Sequence, residues 1–351
     1  MMGQCRWNTA DDTFWEQHSE KVAMTRISSA LLLGLLAAAS VLQAAPGSAQ
    51  PVREFVVTEP IHSADSIPLY IAARKGFFRN VGIDMKIVTV DAGGINSVLS
   101  GDSQGFSGGP EHIAYVKAKG GKDVRAIVGI ANRANQYYVA AKSLDMPAGT
   151  PLREFLKGKR VVTSVYGSTP YAIVRYLIAR EGLDYARDLV LLEIAAAPGR
   201  LAAVKAGQAD IAALNEPVIS QGLRQGVINS PFLSLPQELG PFPWTTLNVP
   251  TELIDKDPQL VKGLVAGVKQ GLAVTFDDPA ELKRVAQLEF PSASPEDLAA
   301  VLDRALKNGM WERGAPMSRE AWDTLYKVIR EGGLLTQAMP YESVFDPRFL
   351  N

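Results

Sequence analysis

The chain has 351 residues and 37.8 kDa, with 47 % hydrophobic and 21 % charged residues. This is ordinary globular usage, and it excludes disorder, a collagen-like repeat and a disulfide-stapled mini-domain. Lys plus Arg (36) nearly balance Asp plus Glu (37), for a formal charge of -1, so nucleic acid, which selects a clear basic excess, is not an expected partner. The one cysteine, Cys5, cannot build a disulfide framework or a Cys-rich zinc site within the chain.

The first informative segment begins at Met24. Thr25-Arg26, an apolar run from Ile27 to Val41, and small residues through Gly47-Ser48-Ala49 make the pattern of a secretory signal peptide, with a cut after Ala49 and a periplasmic mature chain from Gln50. The run is shorter than the roughly 20 apolar residues a membrane span needs. Asp11, Asp12, Glu16 and Glu20 put acid where such a peptide wants base, so residues 1–23 read as an upstream extension and Met24 as the start. A mature chain without cysteine suits an oxidising compartment.

After Gln50, strand and helix patterns alternate, which predicts an α/β architecture with mainly parallel sheets. Phe55 to Thr58 reads as a strand, Ile67 to Lys75 as a helix capped by Ser66 or Asp65, and Ile83 to Val90, Phe106-Ser107 and Val124 to Ile130 as further strands. Helices are expected at Ile95 to Ser100 and Glu111 to Lys119. A second set places strands near Arg160 to Ser164, Val190 to Ile194 and Asp210 to Ala213, with helices near Pro170 to Glu181, Arg200 to Ala206 and Glu216 to Arg224. From Pro258 the chain reads as helices at Pro258 to Phe276, Pro279 to Glu289, Pro295 to Lys307 and Arg319 to Arg330. Leu260, Leu264, Val268 and Leu272, at helical spacing, and Trp311 and Trp322 read as core.

The two sets resemble each other. Ser66-Ile67-Pro68 before Ala73-Arg74-Lys75-Gly76 is answered by Ser168-Thr169-Pro170 before Ala179-Arg180-Glu181-Gly182, and Gly109-Pro110-Glu111 by Asn215-Glu216-Pro217. The matches, in the same order, predict two lobes built on one α/β unit: residues 50–135 with 245–351, and residues 136–244. Open α/β sheets bind ligands beyond the carboxyl ends of their strands, which singles out His62 to Ser66 with Asp65, Gly108-Gly109-Pro110-Glu111, Gly167-Ser168-Thr169 and Asn215-Glu216. Helix starts flanked by hydroxyls offer polar or anion sites, and first-turn carboxylates at Glu111 and Glu216 would accept hydrogen bonds from an amine, amide or amino-heterocycle. Each feature also has a purely structural use, as a cap or a dipole partner. Tyr137 and Trp244 stand where the units meet, placed either to stack on a planar ligand or to pack the hinge.

Catalytic patterns are missing. Gly101-Asp102-Ser103-Gln104-Gly105 has the spacing of a nucleophile elbow but follows a helix and precedes a strand, the reverse of what that turn requires. A metal held by His62, Glu111 and His112 would need two adjacent residues with divergent side chains on one ion, so no metal is expected. His62 reads instead as a neutral loop histidine and His112 as one on a helix surface.

Taken together, Pro68-Leu69-Tyr70-Ile71-Ala72-Ala73-Arg74-Lys75-Gly76-Phe77-Phe78, Val81-Gly82-Ile83-Asp84, Leu156-Lys157-Gly158-Lys159-Arg160-Val161 and Val204-Lys205-Ala206-Gly207-Gln208-Ala209-Asp210 resemble the periplasmic solute-binding proteins of the nitrate, sulfonate, taurine and thiamine-pyrimidine-precursor class, over nearly all the mature chain. The resemblance implies an α/β, type II-like two-lobe fold with a helical C-terminal segment and a cleft formed by the loops above. It implies capture of a small polar organic solute, a pyrimidine-like amine, a sulfonate or a related organic acid, by hinge closure. It also implies delivery to an inner-membrane ABC permease with a separate ATPase, by a monomer without cofactor or catalytic residues. Two alternatives are a ligand-sensing receptor domain and the related enzyme branch that makes the thiamine pyrimidine from its own histidine and pyridoxal phosphate. That branch carries a Cys-rich motif, which the mature chain lacks.

Overall fold

The computed structural model describes residues 52–90 and 94–350; the expected signal segment lies outside them. In chain order the elements are β1 (Arg53–Glu59), α1 (Ile67–Arg74), β2 (Ile83–Thr89), α2 (Gly94–Ser100), β3 (Gly105–Gly108), α3 (Glu111–Ala118), β4 (Val124–Ala131), β5 (Tyr137–Ala140), α4 (Leu152–Leu156), β6 (Arg160–Thr163), α5 (Thr169–Arg180), β7 (Val190–Glu193) and α6 (Ala197–Lys205). They continue with β8 (Ile211–Leu214), α7 (Val218–Arg224), β9 (Leu233–Ser234), α8 (Leu235–Leu239), β10 (Thr245–Pro250), α9 (Thr251–Lys256), α10 (Pro258–Asp277), α11 (Pro279–Glu289), α12 (Pro295–Lys307) and α13 (Arg319–Glu331).

Two five-stranded sheets form, β2-β1-β3-β10-β4 and β7-β6-β8-β5-β9. Their orders correspond strand for strand, with β10 in the first sheet holding the place that β5 holds in the second. The sheets are mixed rather than mainly parallel. β1, β2 and β3 are parallel, as are β6, β7 and β8, but β10 runs antiparallel to β3 and β4, and β5 antiparallel to β8 and β9. The reversed strands are those where the chain arrives from the other sheet, so each enters at the carboxyl edge of its neighbours. Strands this short, in segments without clean alternation, give little period-2 signal.

The late helices follow their start signals. Asp257, Asp278 and Ser294 precede Pro258, Pro279 and Pro295 and accept the amides of Leu260, Glu281 and Asp297 at 3.1, 3.0 and 3.1 Å, while Pro sets the first helical φ without losing a needed N–H. One apolar cluster joins α1 and the first sheet to α10, α11 and α12, with Leu264, Val268, Leu272 and Trp311 buried in it. A second, containing Trp322, runs from α3 through α13 to α5, and a third lies between the second sheet, α6 and α7. Gly271 lets α10 cross α1 closely, since a Cβ there would overlap the Pro68 carbonyl.

Candidate functional site

The carboxyl edges of the two sheets meet at the starts of α3 and α5. β3 ends on Gly108, the chain turns through Gly109, and Pro110 is the N-cap of α3, so Glu111 opens the helix, fully buried. Its carboxylate folds back over Gly109, where a Cβ would overlap both carboxylate oxygens. Glu111 Oε1 accepts the Thr169 hydroxyl from the other sheet's α5 and lies 3.3 Å from His112 Nδ1, whereas Glu111 Oε2 is buried with no partner. Burial works against a charge on His112, but Glu111 and the Gly109 carbonyl outweigh it and raise its pKa. One turn on, the Tyr115 hydroxyl is also buried and unpartnered; burial first, then the Glu111 charge, holds its pKa well above the usual phenol range.

Opposite, Gly167 takes φ +85°, a left-handed turn that glycine makes without strain. Ser168 then caps α5, accepting the Tyr171 amide at 3.3 Å and donating to the Val165 carbonyl at 2.7 Å. This leaves Thr169, not Ser168, to reach across. Among the described residues, the buried side-chain atoms without a partner are Ser107 Oγ, Glu111 Oε2, Tyr115 Oη, Asn132 Nδ2, Gln136 Oε1 and Ser234 Oγ. They sit on β3, α3, the crossing segment 132–136 and β9, the elements where the sheets approach. Folded proteins leave few such atoms unsatisfied.

Several expected site residues are used otherwise. Neither Ser66 nor Asp65 caps α1 through its side chain. The Asp65 carboxylate accepts the Ser63 hydroxyl, Asn135 Nδ2 at 3.0 Å and Thr245 Oγ1 at 2.7 Å, and its carbonyl accepts Trp311 Nε1 at 2.8 Å. It thus fastens both chain crossings, 132–136 and 240–245, to the first sheet. His62 is not neutral. It lies between Glu59 (2.8 Å) and Glu289 (3.3 Å) and stacks on Tyr70, and although burial opposes its charge, those two carboxylates raise its pKa to about 9.

Glu216 is not in the first turn of α7 as expected. The helix begins at Val218 with Pro217 as its N-cap, so the prolines Pro110 and Pro217 correspond, and Glu216 falls two places before the equivalent of Glu111. Its carboxylate accepts the Ser220 amide and hydroxyl, each at 3.1 Å, and Arg304 Nε of α12 at 2.7 Å. Asn215 bonds the Glu216 carbonyl at 3.3 Å. Tyr137 is tied to α12 as well, its hydroxyl accepting Asn308 Nδ2 at 2.8 Å with Arg304 over its ring, and burial pushes its pKa up to about 12. Trp244 packs partly buried at the second crossing against both larger clusters.

Sequence reasoning missed Arg200, which is buried in α6 and donates to the Ala213, Ile194 and Ala195 carbonyls at 2.8, 2.9 and 2.7 Å. The available signal was a lone charge in the otherwise uncharged run between Glu193 and Lys205.

The family described as NMT1/THI5 like matches residues 63–282, and the chain belongs to it. It is 25% identical over 292 residues to YtlA of Bacillus subtilis (strain 168), covering 82% of this chain and 86% of that protein. Its fold is similar to that of the periplasmic nitrate-binding protein NrtA from Synechocystis PCC 6803, with TM-score 0.68, 19% identity and coverage of 83% and 84% of the two chains. It is also similar to that of the alkanesulfonate-binding protein SsuA from Xanthomonas axonopodis pv. citri bound to MOPS, with TM-score 0.65, 16% identity and coverage of 85% and 99%. The architecture is the two-lobe, periplasmic-binding-protein fold that the sequence predicts.

Proposed function

We propose that this chain is the extracytoplasmic solute-binding subunit of an ABC importer, with lobes at residues 50–135 plus 245–351 and at 136–244, exported by cleavage after Ala49. It closes on one small polar organic solute between Gly108–Glu111 of one lobe and Gly167–Thr169 of the other, and passes it to an inner-membrane permease. The observation that carries the reading is Glu111: a fully buried carboxylate bonded across the cleft by Thr169, with its second oxygen unpartnered. A buried carboxylate oxygen accepts and cannot donate, so the group it suits is an N–H of an amine, amide or aminopyrimidine, and an oxyanion set against it would be repelled. Support for the transport role comes from the SsuA and NrtA folds and from YtlA, named as a candidate binding protein.

A thermal-shift panel of aminopyrimidines, aliphatic amines, sulfonates, nitrate and aromatic acids on residues 50–351 tests this. An amine-bearing solute at 100 times its Kd adds about 2.7 kcal/mol of stability, and small-angle scattering should record a smaller radius on binding. No response to any of the solutes, or binding by nitrate alone, would contradict the proposal.

A further inference from the structure

Two helices of the C-terminal segment lie against helices of the second sheet, and they do so by different means. α13 packs on α5 within one apolar cluster, which takes in Trp322 and Leu325 of the one and Ala172 and Tyr176 of the other. α12 meets α7 without such a cluster. Its Val301 and Leu302 lie in the first sheet's core, and Ile219 of α7 lies in the core between the second sheet, α6 and α7.

Charges make the α7–α12 contact instead. Arg224, the last residue of α7, sets Nε 3.1 Å from each carboxylate oxygen of Asp297 and Nη2 2.7 Å from Oδ2. Asp297 stands beside Glu296 in the first turn of α12, so a base closes one helix and acids open the other, the placement that both helix dipoles favour. About 10 Å further along α12, Arg304 bonds Glu216 at 2.7 Å, and Asn308 bonds Tyr137 at 2.8 Å, directly after the crossing segment 132–136. One end of the contact is therefore anchored at a crossing, and the Arg224 end stands away from it.

The two flanks differ in what separation costs. Parting α13 from α5 exposes apolar surface to water, which is unfavourable in proportion to its area. Parting α7 from α12 at Arg224 returns two charges to water. The Arg224 side chain is already 56 % exposed, and its guanidinium, against the cost of burial, holds the Asp297 carboxyl below the usual carboxylate range. Ion pairs that solvent reaches are weak and are screened by salt, so this end of the contact can break and re-form.

We propose that Arg224–Asp297 is a latch between the two lobes: while it is made the α7–α12 flank is shut, and when it breaks that flank parts by rotation about the crossings, with the α5–α13 flank still packed. The latch rests on the two-lobe reading above, which it extends by naming the side on which the cleft opens and the pair that sets how often.

The test uses residues 50–351, which contain no cysteine, so spin labels can be placed at Asn80→Cys and Ala202→Cys, exposed positions of the first and second lobe. Electron–electron distance measurements should show a second, longer separation whose population rises at least about 3-fold in Arg224→Gln and at least about 10-fold in Arg224→Glu, which turns attraction to Asp297 into repulsion. Arg224→Lys, which keeps the charge without the fork, should fall between the parent and Arg224→Gln. Raising NaCl from about 0.05 to about 1 M should populate the longer separation in the parent and change Arg224→Gln little. Arg187→Gln, an exposed arginine of the same lobe, should match the parent. If Arg224→Glu does not fold, Arg224→Gln and the salt series decide. One separation, unchanged by salt and by the Arg224 variants, overturns the proposal, as does a lower melting temperature in those variants with no change of separation. A separation that shifts with a stabilising solute of the thermal-shift panel but not in Arg224→Glu overturns the latch alone; one that shifts with neither overturns lobe closure as well.

Discussion

Glu111 and Glu216 occupy comparable strand-to-helix turns of two similar sheets, yet only Glu111 is left with an unpartnered oxygen. Glu216 has three donors on its two oxygens, among them Arg304 from α12. Glu111 has the Thr169 hydroxyl and His112 on one oxygen and nothing on the other. The difference comes from a two-residue offset relative to the helix-capping prolines, and from α12, whose apolar face packs with the first sheet while its polar side reaches Glu216 and Tyr137. A carboxylate at a helix start is therefore no site by residue type alone. What its neighbours leave unsatisfied decides whether it braces the fold or receives a ligand.

The comparison breaks most visibly at Glu216. Glu216→Ala strips a nearly buried ion pair and leaves Arg304 without its carboxylate, so urea unfolding should show a loss of about 2–4 kcal/mol. A double-mutant cycle with Arg304→Ala should return most of it as coupling; a loss below about 0.5 kcal/mol would mean that the pair braces nothing. Thr169→Val comes next. It removes the bond across the cleft and leaves Glu111 with one partner fewer, which should cost about 1–2 kcal/mol in the same assay, and an unchanged midpoint would deny that the two edges are joined there.

The smallest effect belongs to His62, which has no counterpart in the second lobe. Its pKa is raised from the ordinary value near 6.5 to about 9, so its contribution is complete below about pH 6.5 and is lost as the pH rises through about 9. With a third of the side chain exposed, solvent screening reduces the loss to about 1 kcal/mol. Melting curves across that window should decline in the parent and flatten in His62→Gln; equal slopes would remove the clamp.

Much of the fold is legible in the sequence because helices announce their ends. Asp257-Pro258, Asp278-Pro279 and Ser294-Pro295 set three late helices to within a residue, and the repeat of Ser-x-Pro starts gives the paired sheets. The antiparallel strands β5 and β10 are not legible as such, since pairing direction depends on where the chain returns in space. The loops meeting at the cleft are legible as carboxyl-end turns, but the division of labour within them is not. Asp65, Glu216 and Tyr137 look like ligand residues until Asn135, Arg304 and Asn308, between 70 and 171 residues away in the chain, take up their bonding capacity.

Titration calorimetry of residues 50–351 and of Glu111→Gln, with the tightest amine- or aminopyrimidine-bearing solute from the thermal-shift panel, tests the central claim most directly. Glutamine keeps the shape and removes the carboxylate acceptor, so affinity should fall by about 1.5–3 kcal/mol, roughly 10-fold to 150-fold, while the melting temperature of the unliganded protein changes little, since the amide oxygen can still accept the Thr169 hydroxyl. Equal affinity in the two proteins, or a variant that binds as before but melts well below the parent, would make Glu111 a structural brace like Glu216 and contradict the account.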